Sequence, residues 1–188
     1  MTVTGNADID GAVGASTALS SLSISGTTDL GANVTTTGAQ TYADALTVSG
    51  GNRTLSGSGL SLAALDLGSN TLTATEAGTG TISGVISGTG ALTKAGAGIL
   101  SLSATNTYSG DTTVSAGTFK LTGALNTATD VTLSGTSVWD LQAAQTVASL
   151  SMASGSSITR SAGTSSLTVN GASTLANSVS TSGTQTYT

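Results

Sequence analysis

Pairs of apolar residues separated by one residue recur along the whole chain. Gly, Asn, Ser and Thr lie around these pairs, and such alternation is typical of short β-strands with one buried face. Eight pairs are evident: Leu22/Ile24, Leu46/Val48, Leu65/Leu67, Leu100/Leu102, Phe119/Leu121, Val131/Leu133, Leu150/Met152 and Leu167/Val169. Several successive pairs are 19 residues apart. A chain that returns to an equivalent position about every 20 residues predicts a solenoid rather than a globular fold.

The interval between Leu67 and Leu100 contains none of these pairs. We expect one further coil there, built on Ile82, Val85 and Ile86. The spacing of the other pairs also varies, which fits a solenoid whose turns differ in length while its strands stay in register.

Residues 88–121 show one full circuit most clearly. An apolar strand at residues 99–102 is followed by a polar turn at 104–110 and a second strand near 112–115. A glycine turn at Gly117 then leads to a third strand that ends at Leu121. The circuit has no room for a helix, and it places Leu102 and Leu121 at equivalent positions of successive coils.

The same segment carries an ordered series of short motifs. They are Gly-x-Leu-x-Lys-x-Gly-x-Gly (90–98), Leu-x-Leu (100–102), Asn-Thr-Tyr-x-Gly (106–110), Thr-Thr-Val (112–114) and Ala-Gly-Thr-Phe-x-Leu (116–121). In this order the motifs resemble the passenger-associated transport repeat of bacterial autotransporter adhesins and related giant repetitive adhesins. The resemblance implies a right-handed parallel β-helix displayed outside a bacterial cell.

A longer internal repeat links the two ends of the chain. Residues 165–188 align without a gap with residues 20–43, and eleven of the 24 aligned positions are identical. We therefore expect residues 20–164 to form one unit of about 145 residues and residues 165–188 to open the next. On this interpretation the chain is an excerpt of a longer repetitive protein, with Met1 as an added start residue.

These patterns together predict an all-β fold, a right-handed parallel β-helix of about nine coils that runs continuously over residues 1–188. Each coil adds about 4.8 Å, the spacing of hydrogen-bonded strands, so the rod is about 45 Å long. Leu, Ile, Val and Ala are expected inside, and Thr, Ser and Asn outside. The chain has 26 glycines for corners and no proline to interrupt the strand ladders.

Composition and charge restrict the partners. The formal net charge is −5, with four Lys and Arg residues in total, so nucleic acid is not an expected partner. No apolar run is long enough to span a bilayer, and no basic, apolar leader follows Met1. We therefore expect no membrane insertion by this segment.

Enzymatic chemistry has little support in the sequence. The chain lacks His and Cys, which removes the common nucleophile and base pairs and most zinc sites. Asp8 and Asp10 are expected on the same side of a strand, whereas the other acidic residues are isolated. The sequence predicts no catalytic residues, no metal site and no cofactor, and a polysaccharide-active β-helix enzyme is the alternative of a different class.

Three residues are candidates for a specific role. Trp139 and Tyr108 are the candidate ligand-binding residues, and on this hypothesis Trp139 is a platform on which a sugar stacks. The structural alternative is that Trp139 fills a wide coil, while Tyr108 caps a coil with its ring and directs its hydroxyl to water. Asn106 is expected to satisfy backbone groups in a bend.

The resulting functional hypothesis is a structural stalk or passenger segment of an exported bacterial surface adhesin. Such a segment extends binding regions away from the cell and is anchored in the outer membrane through parts outside this chain. The alternative is a directly adhesive module that binds a glycan or matrix ligand. Expected partners are neighbouring repeats of the same chain and a glycan or host-surface ligand, together with other copies through end-to-end association, since a solenoid end exposes strand edges.

Overall fold

The computed structural model describes all 188 residues and contains β-strands, turns and loops but no helix. All paired strands are parallel, and the coils stack as a β-solenoid of about nine turns. The predicted all-β solenoid is confirmed.

The strands are short, as expected when each coil turns several corners. They are β1 (Thr2–Val3), β2 (Ala7–Ile9), β3 (Leu22–Ile24), β4 (Thr28–Leu30), β5 (Val34–Thr35), β6 (Ala39–Val48), β7 (Arg53–Gly57), β8 (Gly59–Asp66), β9 (Leu72–Glu76), β10 (Thr79–Ile82), β11 (Ile86–Ser87), β12 (Leu92–Ala95), β13 (Ile99–Leu102), β14 (Thr112–Val114), β15 (Thr118–Leu121), β16 (Asp130–Leu133), β17 (Val138–Leu141), β18 (Gln145–Val147), β19 (Ser149–Met152), β20 (Ser157–Thr159), β21 (Leu167–Val169), β22 (Ser173–Leu175) and β23 (Gln185–Tyr187).

Three parallel sheets form the walls of the solenoid. The largest has the order β1-β3-β6-β8-β10-β13-β15-β17-β20, with β4 beside β6, β2 beside β4 and β11 beside β8. The second sheet runs β5-β7-β9-β12-β14-β16-β19-β22, and the third runs β18-β21-β23. Strands that are neighbours in a sheet come from successive coils, so nearly every hydrogen-bonded ladder is non-local in sequence.

The interior is one apolar core of 35 buried residues. Every residue of the eight apolar pairs is buried, which confirms the predicted inward positions. In-register contacts stack these residues along the axis, as in the column Leu62, Ile82, Leu102, Leu121 and Leu141.

The coil between the pairs at 65/67 and 100/102 is also present, with Ile82 and Ile86 buried as predicted. The prediction for Val85 was wrong, because this side chain is 44% exposed. Val85 directly precedes the inward Ile86 in an irregular connection between β10 and β11, and adjacent residues of an extended chain point to opposite sides.

The segment of residues 88–121 folds as its pattern indicates. Strands β13, β14 and β15 lie at the three predicted places, and Leu102 pairs in register with Leu121. Gly117 lies in the turn before β15 with φ of 68°, and a Cβ there would overlap the carbonyl oxygens of Gly98 and Gly96 in the coil below. Only glycine fits this corner without moving the neighbouring coil.

Candidate functional surfaces

Trp139 lies in the core rather than at the surface. It belongs to β17 and is in register between Phe119 on the preceding coil and Ile158 on the following one. The side chain is fully buried, and its indole Nε1 has no hydrogen-bond partner. Its ring fills a wide part of the coil, so a sugar cannot stack on it unless the coil opens.

Tyr108 is also fully buried. Its hydroxyl lies 2.6 Å from the Thr112 hydroxyl, and burial raises the pKa of the phenol. The hydroxyl therefore does not reach water, contrary to the structural alternative drawn from the sequence, and the side chain offers no surface to a ligand.

Asn106 joins three successive coils and is 3% exposed. Its Oδ1 accepts a hydrogen bond from the Ile86 amide at 2.9 Å. Its Nδ2 donates to the carbonyls of Ala104 at 3.1 Å and Ala124 at 3.0 Å. The predicted role of this residue in a bend is confirmed.

Lys94 of the glycine-rich motif points into the core, although charged residues are seldom fully buried. Its Nζ donates to the carbonyls of Ala95 and Gly96, both at 2.8 Å, and to Ala116 at 3.2 Å. Burial lowers the pKa of Lys94 to about 8, partly offset by the nearby Glu76. The one signal for this inward direction in the sequence is the alternation with Leu92, which is buried two residues earlier.

Glu76 at the end of β9 is 1% exposed. Gly80 leaves room for its carboxyl group, since a Cβ there would lie only 3.0 Å from the Glu76 side chain. Its Oε2 has no hydrogen-bond partner, and burial raises its pKa to about 7 despite the attraction of Lys94. This pair of buried charges was not predicted.

Asp140 forms a hydrogen-bonded cluster on the outer side of β17. It accepts from the Ser161 amide at 2.8 Å, the Ser161 hydroxyl at 2.6 Å and Gln142 at 2.7 Å. Partial burial works to raise the pKa of Asp140, but these hydrogen bonds and the nearby Lys120 lower it overall. The carboxylate is held ionised, which suits a structural acceptor better than a proton donor.

Among the other carboxylates, Asp8 lies close to Asp10 and Asp29 near the Met1 end of the solenoid. Asp8 and Asp29 are in register on β2 and β4. The pKa of Asp8 is raised by the nearby charge of Asp10, by burial and by the charge of Asp29. No three acidic side chains are arranged to hold a metal ion.

The most regular outer feature is a column of hydroxyl side chains on the second sheet. Each member pairs in register with the next along the axis, and each is at least partly exposed. We call this column the threonine ladder: Thr54, Thr73, Thr93, Thr113, Thr132, Ser151 and Thr174. Neighbouring strands are about 4.8 Å apart, so the ladder presents hydroxyl groups at this repeat.

The remaining openings are shallow or lie at an end of the solenoid. One open groove is lined by Thr36, Ser56, Thr75 and Gly96 beside the buried Glu76. The end of the solenoid near Met1 has an opening with an apolar floor that includes Leu22 and Ile24. The opening near Met1 also has Asp8 and Asp10 in its lining, whereas Glu76 is the one ionisable residue that lines the open groove.

Comparison with known proteins identifies one family. Residues 92–121 match the family described as the passenger-associated-transport-repeat. These residues lie within the segment 88–121, whose motifs resemble that repeat. No curated protein and no solved structure matches the chain. No helical membrane-spanning segment is present in the structure.

Proposed function

We propose that this chain is a structural passenger segment of an exported bacterial surface protein, which extends and presents binding regions away from the cell. The observation that carries the proposal is that the polar residues of the transport-repeat motif are buried inside the coil. Lys94, Asn106 and Tyr108 are all buried, and their polar atoms bond within the solenoid. A motif used in this way builds the rod through its buried polar groups.

The continuity of the rod supports a mechanical role. In-register strand pairing passes through the motif into the coils on both sides, from β9 through β12 and β14 to β16. Such a stack transmits load along its axis through many hydrogen bonds and one continuous core. The match to the passenger-associated-transport-repeat supports an extracellular location at the bacterial surface and a structural rather than an enzymatic role for this segment.

Surface display in a Gram-negative host tests this proposal. The chain is placed between a secretion signal and an outer-membrane translocator, and the folded segment outside the cell is measured by limited proteolysis of whole cells. A passenger segment should appear outside as a protease-resistant core of full length. Retention inside the cell, or complete digestion outside it, would contradict the proposal.

Two variants make the display experiment specific to folding of the motif. Gly117→Ala forces a Cβ into the coil below and should reduce the resistant core strongly. Gly11→Ala is the matched control, because a Cβ at Gly11 meets no atom within 4 Å. Equal amounts of resistant core from both variants would argue against a role for the motif in forming the rod.

A second candidate function is direct adhesion through the threonine ladder. Its regular, uncharged hydroxyl groups are suited to repeated hydrogen bonding with a glycan. Binding of three chains to an array of glycans and matrix proteins tests this function. They are the natural chain, a Thr93→Glu/Thr113→Glu variant that alters the ladder, and a Ser101→Glu variant that alters another face. Binding that only the ladder variant loses would support adhesion, and absence of binding would leave the structural role.

A further inference from the structure

The first copy of the internal repeat contains a hydrogen-bonded network around Gln40. Its Nε2 donates to the Val34 carbonyl at 3.4 Å and to the Thr36 hydroxyl at 3.3 Å. Its Oε1 accepts from the Tyr42 hydroxyl at 3.0 Å. Gln40 and Tyr42 are each 1% exposed, because the next coil covers them.

The second copy rebuilds this network at the far end of the solenoid. Gln185 Nε2 donates to the Val179 carbonyl at 3.0 Å and to the Thr181 hydroxyl at 3.3 Å, and its Oε1 accepts from Tyr187 at 3.1 Å. Every partner is displaced by the same 145 residues as in the sequence repeat. The backbone beneath it is also alike, since Gln185 pairs with Leu167 as Gln40 pairs with Leu22.

The two networks differ in what lies above them. In the first copy the next coil adds a further bond, from Gln40 Nε2 to the Ser56 carbonyl at 2.7 Å. That coil also places four apolar side chains over the network and its strand neighbours, in the register Leu30↔Val48, Val34↔Leu55, Gln40↔Leu60 and Tyr42↔Leu62. It is built from residues 44–66.

The second copy leaves the equivalent positions uncovered. Leu175 is 40% exposed, whereas its counterpart Leu30 is fully buried. Gln185 is exposed, and Val179 and Tyr187 are partly exposed. These residues retain the side-chain geometry of a coil interface, although strands pair with them from the preceding coil only.

We infer that Leu175, Val179, Gln185 and Tyr187 form a docking surface for a β-coil with the pattern of residues 44–66, added in parallel and in the register seen over the first copy. The occupant supplies apolar residues at the four positions of Val48, Leu55, Leu60 and Leu62, and a carbonyl at the position of Ser56. This inference rests on the interface inside the chain and does not depend on export.

The test appends a second copy of residues 44–66 directly after Thr188. A control chain carries the same extension with Ser at the copies of Val48, Leu55, Leu60 and Leu62. Hydrogen exchange is measured on both chains and on the 188-residue protein. In the first copy the Thr36 amide donates to the Ser56 carbonyl at 2.8 Å. The Thr181 amide should gain the same bond in the natural extension only, and its exchange rate there should fall at least about tenfold.

Tyrosine ionisation gives a second, independent measurement. Burial raises the pKa of Tyr42 strongly, and it also raises the pKa of the less buried Tyr187. A spectrophotometric titration of the 188-residue protein should therefore show Tyr187 ionising before the other tyrosines. The natural extension should move this step to higher pH, toward that of Tyr42, and the serine-bearing control should not.

Two results would overturn the inference. Equal exchange at Thr181 in the natural and control extensions would show that the surface does not select this pattern. The 188-residue protein could instead dimerise as its concentration rises, with protection of Thr181, while the natural extension stays monomeric. This result would identify a second copy of the chain as the occupant. Analytical ultracentrifugation of all three chains distinguishes this second result.

Discussion

Lys94 and Glu76 lie on adjacent coils with both side chains buried, yet only the lysine has a complete set of hydrogen bonds. Lys94 donates to three backbone carbonyls from two coils. Glu76 Oε2 has no partner. The lysine therefore ties the coils together, whereas the carboxylate is held in an environment that favours its neutral form.

This asymmetry predicts a pH-dependent stability. Burial raises the pKa of Glu76 to about 7 from its usual 4.5, so the folded state favours the protonated carboxyl. Its contribution to stability is complete below about pH 4.5 and is lost as the pH rises through 7. The free energy of unfolding, measured in urea between pH 4.5 and 7, should therefore decline.

Glu76→Gln should remove most of this decline, because the amide does not ionise. The window avoids the titration of Lys94, whose pKa burial lowers to about 8. Asp111→Asn, which alters an exposed acid of the same motif, is the control and should keep the decline. A Glu76→Gln protein with the full pH dependence would show that another group causes it.

Lys94→Met should destabilise the fold at neutral pH. Methionine can occupy the space of the lysine chain but leaves the carbonyls of Ala95, Gly96 and Ala116 without their donor. Buried groups left without a hydrogen-bond partner cost about 1 to 3 kcal/mol each, so a loss of about 3 kcal/mol is expected. Lys120→Met alters a partly exposed lysine and should cost less than about 1 kcal/mol in the same urea experiment. Similar losses for the two variants would contradict the role assigned to Lys94.

Asn106→Ala should weaken the contacts among three coils. The substitution removes an acceptor for the Ile86 amide and a donor for the Ala104 and Ala124 carbonyls, all within a buried corner. The two carbonyls still accept from the Ala124 and Asn106 amides, so the Ile86 amide is the group left without a partner. An unsatisfied buried group costs about 1 to 3 kcal/mol, and the lost carbonyl bonds add to this, so a total loss of about 3 kcal/mol is expected.

The matched control for Asn106 is Asn126→Ala. Asn126 also hydrogen-bonds the backbone, through the Thr107 carbonyl and the Ala128 amide, but these contacts are exposed to water. Its loss should be about 1 kcal/mol. Thermal unfolding followed by circular dichroism compares the two, and equal shifts in Tm would show that burial at Asn106 contributes nothing.

Trp139→Ala should leave a large cavity between Phe119 and Ile158. Replacement of a buried aromatic side chain by alanine typically costs about 3 to 5 kcal/mol. Val85→Ala, at an exposed position, should change stability by about 0.5 kcal/mol or less. Because Trp139 is the only tryptophan, the natural protein should also show blue-shifted emission that moves to longer wavelength on unfolding. A red emission maximum in the folded protein would contradict the buried position.

The local pattern was sufficient to predict the strands and their inward faces. An apolar pair such as Leu100 and Leu102 marks a buried face because side chains alternate along a strand. The 19-residue separation of Leu102 and Leu121 also predicted that these residues pair on successive coils. Both signals are contained in a short stretch of chain, which is why the sequence alone revealed them.

The tertiary structure decided which polar and aromatic residues serve the core. Lys94 occupies an inward position between Ala74 and Val114, where its long chain reaches three carbonyls that only the stacked coils bring together. Trp139 and Tyr108 were candidates for ligand contact by residue type, yet each is buried by neighbouring coils. Burial of this kind depends on contacts between residues about 20 positions apart, which a local pattern does not specify.

The threonine ladder on the outer surface likewise depends on contacts between coils that a local pattern does not specify. Its members are separated by 19 to 23 residues, so the sequence alone gives no constant period. Loops of different length absorb these differences, and the hydrogen bonds of the parallel strands bring the hydroxyl groups into one column. The sequence thus determined the strands and the number of coils, while pairing between coils determined which side chains share a column.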